Sequence, residues 1–420
     1  MNKKLLLMTG LVALAAVEVN AEIKLTAPAE GATVPLINPL MRAYLDLPSS
    51  QRKDHRKTLS DEQRKAYKKA KGPQSVEFAW EGDPKGIYQF SVARQPDGRV
   101  FYSATVTGCT TKVRGRLEVA REWSWQVSDG KDTAKGTFKT EDRAPRIISL
   151  EGVRNVRDFG GWVGLNGRRV KQGMIIRSEG LNKNAKSTYY TYEEILELHK
   201  QGKLATAGVG KHASDLAKEY ARDLDRGNGV DKNFLRLIKE GPKEPGVMRI
   251  TAADKDYLLN DLGIKSDIDM REDWETFGMT FSPLGSTVNW YHYPVFTGYW
   301  GFVTPVGRAV QAMLFSVLVN ESNYPIICHC IGGTDRTGSF AYLVKGLLGV
   351  CEEDLMRDYE LSFIAGGGVD DRHNDWFYKM VEAVRALPGD TLADKMKGYY
   401  LSLGFTEEQI EDFRERMLEK

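Results

Sequence analysis

The sequence predicts an α/β domain, a central sheet flanked by helices, preceded by a small all-β sandwich. Three observations lead there. The chain has 420 residues, 41% of them hydrophobic, a length that suits two or three domains and an apolar content sufficient to bury their cores. Over residues 75–142, short runs of alternating apolar and polar residues are separated by turn residues. Beyond residue 146, apolar runs alternate with helical periods instead. The same composition excludes a disordered or collagen-like chain. With 59 Lys and Arg against 57 Asp and Glu, the net charge of +2 supplies no long-range field for nucleic acid or an anionic membrane. Any anion recognition must be local, and no nucleic-acid partner is expected. Four cysteines in so long a chain make no disulfide framework, so a cysteine that matters does so through its chemistry.

Lys3 and Lys4 precede an apolar run at 5–17, and the small-residue site Val19-Asn20-Ala21 follows. Residues 1–21 therefore read as a cleavable export signal. The run is shorter than the ~20 residues that span a bilayer, so no stable membrane anchor is expected. The mature chain then starts at Glu22, periplasmic or secreted.

The sandwich is expected over 22–145, with strands at 76–80, 87–93, 100–107, 123–127 and 136–140. Asp83-Pro84, Pro96-Asp97-Gly98 and Ser128-Asp129-Gly130 punctuate them, the spacing of a small antiparallel sandwich. These strands resemble the immunoglobulin-like or fibronectin type III modules attached to secreted bacterial enzymes, and the resemblance implies a positional role. A basic insert at 51–72 carries nine Lys or Arg against three Asp or Glu and reads as a solvated helix or loop.

The linker Arg143-Ala144-Pro145-Arg146 opens the second domain, 146–420. Thr251 caps a helix with Asp254 three residues on, and Tyr257, Leu258 and Leu262 share its face. A strand follows at 264–270. Thr304-Pro305 starts a second helix, 325–329 is the next strand, and a third helix begins near Arg336 with Phe340, Leu343, Val344 and Leu347 on one buried face. This alternation argues for α/β layers. A stretch at 181–250 interrupts it with 13 Lys or Arg and 10 Asp or Glu, a helical insertion that is either a lid or a structural insert.

The chemistry sits in His329-Cys330-Ile331-Gly332-Gly333-Thr334-Asp335-Arg336-Thr337-Gly338, between an apolar strand and an amphipathic helix. A tight glycine-containing loop turns its backbone N–H groups inward as an anion nest, and the helix N-terminus adds its dipole. Arg336 can complete the cradle with two parallel hydrogen bonds to phosphate oxygens. Ile331, Gly332, Gly333, Thr334, Thr337 and Gly338 are thus the substrate-binding candidates, and Cys330 lies at the pocket floor. Thiols beside a cation at a helix N-terminus ionise at pKa values of roughly 3.5 to 7.5, so Cys330 reads as the nucleophile. Thr337 can donate its hydroxyl hydrogen to the thiolate, and His329 orients the loop.

The strand, His-Cys-x5-Arg-Thr-Gly, helix sequence resembles the protein tyrosine phosphatase superfamily. Asp335-Arg336-Thr337-Gly338 resembles its bacterial tyrosine/serine and lipid phosphatase branch. Asn155-Val156-Arg157-Asp158-Phe159-Gly160-Gly161 is similar to that branch's Asn-x-Arg-Asp-x-Gly-Gly motif, Ile176-Arg177-Ser178 to its Arg-Ser, and Ile268-Asp269-Met270-Arg271 to its Asp-Leu-Arg strand end. The resemblance implies a phosphatase-type central sheet and hydrolysis through a phosphocysteine, with no cofactor and no metal. Thr334 departs from the branch's Lys, which weakens a lipid assignment. Asp267 departs from an apolar strand position and belongs either to the cleft or to the strand's edge.

Residues 281–329 contain no Asp, so the usual acid on a loop before the nucleophile is missing. Asp335 in the loop and Asp269 at a strand end are the two candidates. Arg157 and Asp158, most simply an ion pair bracing the sheet, and Arg271 are expected behind the site. The leading expectation is a phosphatase acting on a phosphorylated protein, peptide or small phosphomonoester, first of all phosphotyrosine. An inositol-phosphate or phosphoinositide phosphatase is the alternative, and a non-catalytic phosphate-binding module the third reading.

Overall fold

In a computed structural model of the protein, the strands and helices form where alternation, turns and caps place them. The structure describes residues 22–420 except 184–187, 210–212, 231, 233–234, 236, 242–246, 274, 277–278 and 366–370. The export signal read at 1–21 lies outside the described residues. Two compact units form. The smaller holds Glu77–Lys112 and Trp123–Phe138 with the chain up to Ala32, and the larger holds Thr33–Val76, Val113–Glu122 and Lys139–Lys420.

Strands β1 (Lys24–Ala27) and β2 (Ala32–Val34) open the chain, and helices α1 (Pro39–Leu45), α2 (Ser49–Thr58) and α3 (Asp61–Ala70) follow. Then come β3 (Ser75–Glu81), β4 (Ile87–Arg94), β5 (Val100–Thr107), β6 (Thr110–Arg114), β7 (Glu122–Ser128) and β8 (Thr133–Thr140). They make a three-stranded sheet, β1-β3-β6, and a five-stranded sheet, β2-β8-β7-β4-β5. In β3 the alternation buries Val76, Phe78 and Trp80. The Phe78 ring meets Phe90, Trp125 and Phe138 of the other sheet at 4.9, 5.1 and 5.5 Å, edge-on contacts of the kind aromatic rings prefer.

The basic segment 51–72 forms α2 and α3, mostly exposed, with Arg52, Tyr67 and Ala70 buried. Ser60 caps α3 in a capping box with Gln63, and Tyr67 packs with Met41, Tyr44, Leu361 and Ile364 in one core cluster. Arg52 is fully buried and pairs with the equally buried Glu360 at 2.6 Å. Both lie in the larger unit, because a helix with one apolar stripe must cover it.

The larger unit continues with β9 (Arg157–Asp158), β10 (Ile175–Ser178), β11 (Thr188–Tyr189), α4 (Tyr192–Lys200), α5 (Ala213–Asp225) and β12 (Ile238–Glu240). Next are α6 (Ala252–Asp256), β13 (Ser266–Asp269), β14 (Asn289–His292), α7 (Tyr299–Val303), α8 (Pro305–Val319) and β15 (Ile326–His329). Helices α9 (Asp335–Leu347), α10 (Glu352–Ala365), α11 (Asp371–Arg385), α12 (Leu392–Ser402) and α13 (Glu407–Met417) complete it. Thr251 and Thr304 cap α6 and α8 with their hydroxyls, as their positions predict. The sheet order is β14-β13-β15-β10-β9, parallel throughout except for β9 at its edge.

Ile326 and Cys328 point into the cluster formed with α8 and α9, and Ile327 points into a second cluster with Tyr257 and Leu258. The sheet is therefore covered on both faces, the arrangement parallel strands require. Every residue of β10, β13 and β15 is buried, yet these strands carry Arg177, Asp267, Asp269 and His329, most of them near the carboxyl ends. Within the 181–250 insertion, Ile195, Leu204, Ala217, Tyr220 and Leu237 share a small core of their own. No helix among the described residues is long and apolar enough to cross a membrane.

Candidate active site

The loop from Cys330 to Thr334 joins β15 to α9, and three of its carbonyls, those of Ile331, Gly332 and Gly333, are held from outside. Gly180 N–H donates to the Ile331 carbonyl at 3.0 Å, Asn155 Nδ2 to Gly332 at 3.0 Å, and Arg177 Nη2 to Gly333 at 2.6 Å. In a trans peptide C=O and N–H point opposite ways. The N–H groups of Gly332, Gly333 and Thr334 consequently face the loop's interior, the geometry of an anion nest. Gly333 adopts φ +65°, and a Cβ there would stand 2.2 Å from the Ser178 carbonyl oxygen, so only glycine fits. Asn155, which tolerates left-handed backbone better than most residues, sits at φ +57°.

Cys330 is buried at the start of this loop. Gly338 N–H bonds the Thr334 carbonyl at 2.8 Å and closes the first turn of α9, whose dipole points at the nest. Thr334 is buried with its hydroxyl 3.4 Å from the Gly332 carbonyl. The Thr337 hydroxyl is buried without a hydrogen-bond partner among the described residues, free to serve a group in the nest. Asp335 accepts the Tyr359 hydroxyl at 3.0 Å.

Arg336 is held by Glu275. Its Nη1 and Nη2 reach the two carboxylate oxygens at 2.5 and 2.9 Å, a bidentate pair, and Nη1 also approaches the Met270 carbonyl at 3.3 Å. Burial opposes the guanidinium's charge, but Glu275, and after it Cys330 and Glu272, outweigh this and hold the pKa above its ordinary value. Glu275 Oε2 also accepts the Glu272 N–H at 2.7 Å. Burial pushes the Glu272 carboxyl up to about 7, against the pull of Arg336.

Residues 148–200 and 246–419, more than half of the chain, match the sequence pattern described as the tyrosine phosphatase family. The chain belongs to the tyrosine phosphatase family. It is accordingly an enzyme of the phosphoric monoester hydrolase type. The unmatched stretch falls inside the helical insertion. Among solved structures, the core catalytic domain of the PP-IP phosphatase SIW14 from S. cerevisiae, in complex with citrate, is similar at 16% identity over 30% of this chain and 84% of that one, with a TM-score of 0.21. No curated protein matches.

Around this phosphatase loop the charged residues sort into two buried networks. On β13 and β15, parallel register sets Asp267 beside Ile327 and Asp269 beside His329. His329 Nε2 lies 3.0 Å from Asp267 and Nδ1 3.7 Å from Asp269. Burial disfavours the imidazolium, yet Asp269 and then Asp267 raise the His329 pKa above its ordinary value. Asp267 also accepts the Ser282 hydroxyl at 2.6 Å; it is buried in an inner strand, so the strand-edge reading is corrected. Arg271 grips Asp269 through its backbone N–H, Nε and Nη2 at 2.6 to 3.1 Å. Burial opposes the charge of Asp269, but Arg271 and His329 hold its pKa far below the carboxylate range. A carboxylate kept ionised this way is a poor proton donor.

The second network lies behind the loop. Asp358 on α10 receives Arg157, Arg177 and Lys345 at 2.7, 2.7 and 2.6 Å. Despite burial these cations, Lys345 first, hold the Asp358 pKa well below its ordinary value. Burial pushes Lys345 down to about 8. The expected Arg157–Asp158 pair does not form, because neighbouring strand residues face opposite sides. Asp158 instead binds Arg146 at 3.0 Å and the N–H groups of Gly160 and Gly173, tying the linker to the sheet away from the loop. Arg177, Asn155, Glu272 and Glu275 were absent from the site read off the sequence, although Asn155 and Arg177 stood in the quoted motifs. Among the described residues no group of three or more His, Cys, Asp or Glu is arranged to hold a metal ion.

Proposed function

We propose that this phosphatase is exported and cleaves phosphomonoesters through a phosphocysteine on Cys330. The observation that carries the reading is the row of outward-held carbonyls at Ile331, Gly332 and Gly333, which leaves donors for three phosphate oxygens around the Cys330 sulfur. Arg336, aligned by Glu275, adds two more. Cys330 Sγ attacks phosphorus, the S–P bond forms, and the P–O ester bond breaks as the leaving oxygen takes a proton. Glu272 supplies that proton, since burial raises its carboxyl to about 7, against the pull of the neighbouring Arg336, so that a large share is protonated near neutral pH. Asp335 is the competing donor. Water then attacks phosphorus and gives its proton to the carboxylate left by the first step, the S–P bond breaks, and Thr337 steadies the departing thiolate.

Asp335-Arg336-Thr337-Gly338 and the Asn155 to Gly161 motif support the bacterial tyrosine/serine and lipid phosphatase branch. The aromatic layer between the two small sheets supports an immunoglobulin-like or fibronectin-like module with a positional role. The nest recognises a phosphate alone, so phosphotyrosine, phosphoserine and phosphothreonine all suit it. A surplus of cations beside the loop favours the second reading, an inositol-phosphate or phosphoinositide substrate.

Rapid quenching with a radiolabelled aryl phosphate tests the chemistry. Wild type should carry label on Cys330 and Cys330→Ser should neither label nor turn over, with EDTA leaving the wild-type rate unchanged. Turnover by Cys330→Ser comparable to wild type would sink the reading.

A further inference from the structure

Three of the nine cations of the basic segment 51–72 line one cavity. Lys68, Lys69 and Lys71 at the end of α3, with Arg114 and Arg154, line a cavity of about 190 Å³ whose wall contains no Asp or Glu. None of Lys68, Lys69, Lys71 and Arg114 forms an ion pair among the described residues. The dipole of α3 favours cations at its carboxyl end, and Arg114 and Arg154 join them from other segments, Arg114 through Nε on the Pro73 carbonyl at 3.1 Å. Burial, then Arg154 and Lys68, hold the Lys71 ammonium below the ordinary lysine range, against the smaller opposing pull of Glu179. Like charges crowded in this way are relieved by an anion.

The cavity stands beside the catalytic loop. Ser178 pairs in register with His329, so Glu179 is level with Cys330 on the neighbouring strand, about 4.8 Å away. Arg154 binds Glu179 at 2.9 Å, and Asn155, in the cavity wall, donates to the Gly332 carbonyl. Through Arg154 and Asn155 the cavity wall is thus tied to residues that adjoin the loop.

We propose that this cavity is a second phosphate subsite, so that the substrate is a compact molecule with two or more phosphates, one on the Cys330 loop and another held by Lys68, Lys71 and Arg154. The inference rests on the loop being the cleavage site. A cavity of this size holds roughly six waters at their liquid volume, room for an oxyanion rather than a peptide strand. A soluble polyphosphate and a lipid headgroup present the same chemistry here.

The test compares wild type with Lys68→Gln/Lys71→Gln and Arg154→Gln. The probes are myo-inositol hexakisphosphate, phosphatidylinositol bisphosphate in phosphatidylcholine vesicles, a monophosphotyrosine peptide with acidic flanks, and p-nitrophenyl phosphate as the single-phosphate reference. The kcat/KM ratio of a polyphosphate to the reference should fall about 10- to 100-fold in the variants, mainly through KM. Lys71→Arg should keep the ratio, and whichever polyphosphate responds names the source. Unmoved ratios, a fall confined to the peptide, or no wild-type turnover of either polyphosphate overturns the subsite. Phosphate release by Cys330→Ser would instead overturn the loop reading beneath it.

Discussion

In the proposed reaction Arg336 carries the transition-state charge, and a guanidinium on a long side chain loses alignment unless something fixes its plane. Glu275 does so through both carboxylate oxygens. In Glu275→Gln the shape survives and the charge does not. Losing a charge-assisted pair worth roughly 1.5–3 kcal/mol predicts a kcat/KM lower by about 10- to 100-fold, with kcat falling more than KM rises. Steady-state kinetics on p-nitrophenyl phosphate decide it. Glu272 makes a separate prediction about pH. A proton donor works only while protonated, so with its carboxyl at about 7 kcat should decline as pH rises through neutrality. Glu272→Gln should lower kcat and flatten that limb, whereas Asp335→Asn should keep it. A limb retained in Glu272→Gln and lost in Asp335→Asn would move the acid to Asp335.

At the scale of elements, the catalytic loop is a short span whose shape is dictated by neighbouring strands and by α10. Strand and helix alternation, the Thr251 and Thr304 caps and the His-Cys-x5-Arg loop were legible because they are local: period, hydroxyl and spacing. Pairings between distant segments were not. Arg157 and Asp358 are 201 residues apart, and no periodicity announces such a partner. Glu272 and Glu275 follow β13 where nothing in Arg-Glu-Asp distinguishes an acid beside the site from one on the surface. Asp267 was legible as an oddity, and only the register with β15 explains it. Asp358→Asn would leave Arg157, Arg177 and Lys345 facing each other without a carboxylate. Removing one side of a buried pair costs about 3–5 kcal/mol, and the loop carbonyl held by Arg177 should loosen with it. The folded-state pKa of Asp358 is depressed, so its stabilisation is present above its unfolded value near 3.9 and is lost as pH falls. Urea unfolding should show the variant weaker at pH 7 and less sensitive to acid than wild type; a stability within 1 kcal/mol of wild type at pH 7 would contradict the network.

For the larger unit as a whole, α1 and α2 brace α10 through one buried residue of the basic segment, Arg52, and its neighbours. Glu360 accepts Arg52 at 2.6 Å, the Ser49 hydroxyl at 2.6 Å and the Tyr378 hydroxyl at 2.8 Å, while Tyr44 donates to the Glu360 carbonyl at 2.9 Å. Helices α1 and α2 are thereby fastened to the helix that also presents Asp358 to the loop. Arg52→Met keeps the volume and removes the charge, leaving Glu360 buried against hydroxyls alone. Stability should drop by about 3 kcal/mol at neutral pH, and the drop should depend on pH in a definite direction. Burial already raises the Glu360 pKa, with Ser49 and Arg52 opposing it, and without Arg52 it rises further. A carboxyl whose folded pKa exceeds its unfolded value binds more protons when folded, so stability falls as pH climbs between the two. The variant's deficit should accordingly be larger at pH 8 than at pH 5, where Glu360 takes up a proton and no longer needs a partner. Urea titrations at both pH values measure it, and an equal deficit at the two would mean that Arg52 acts through packing and not through its charge.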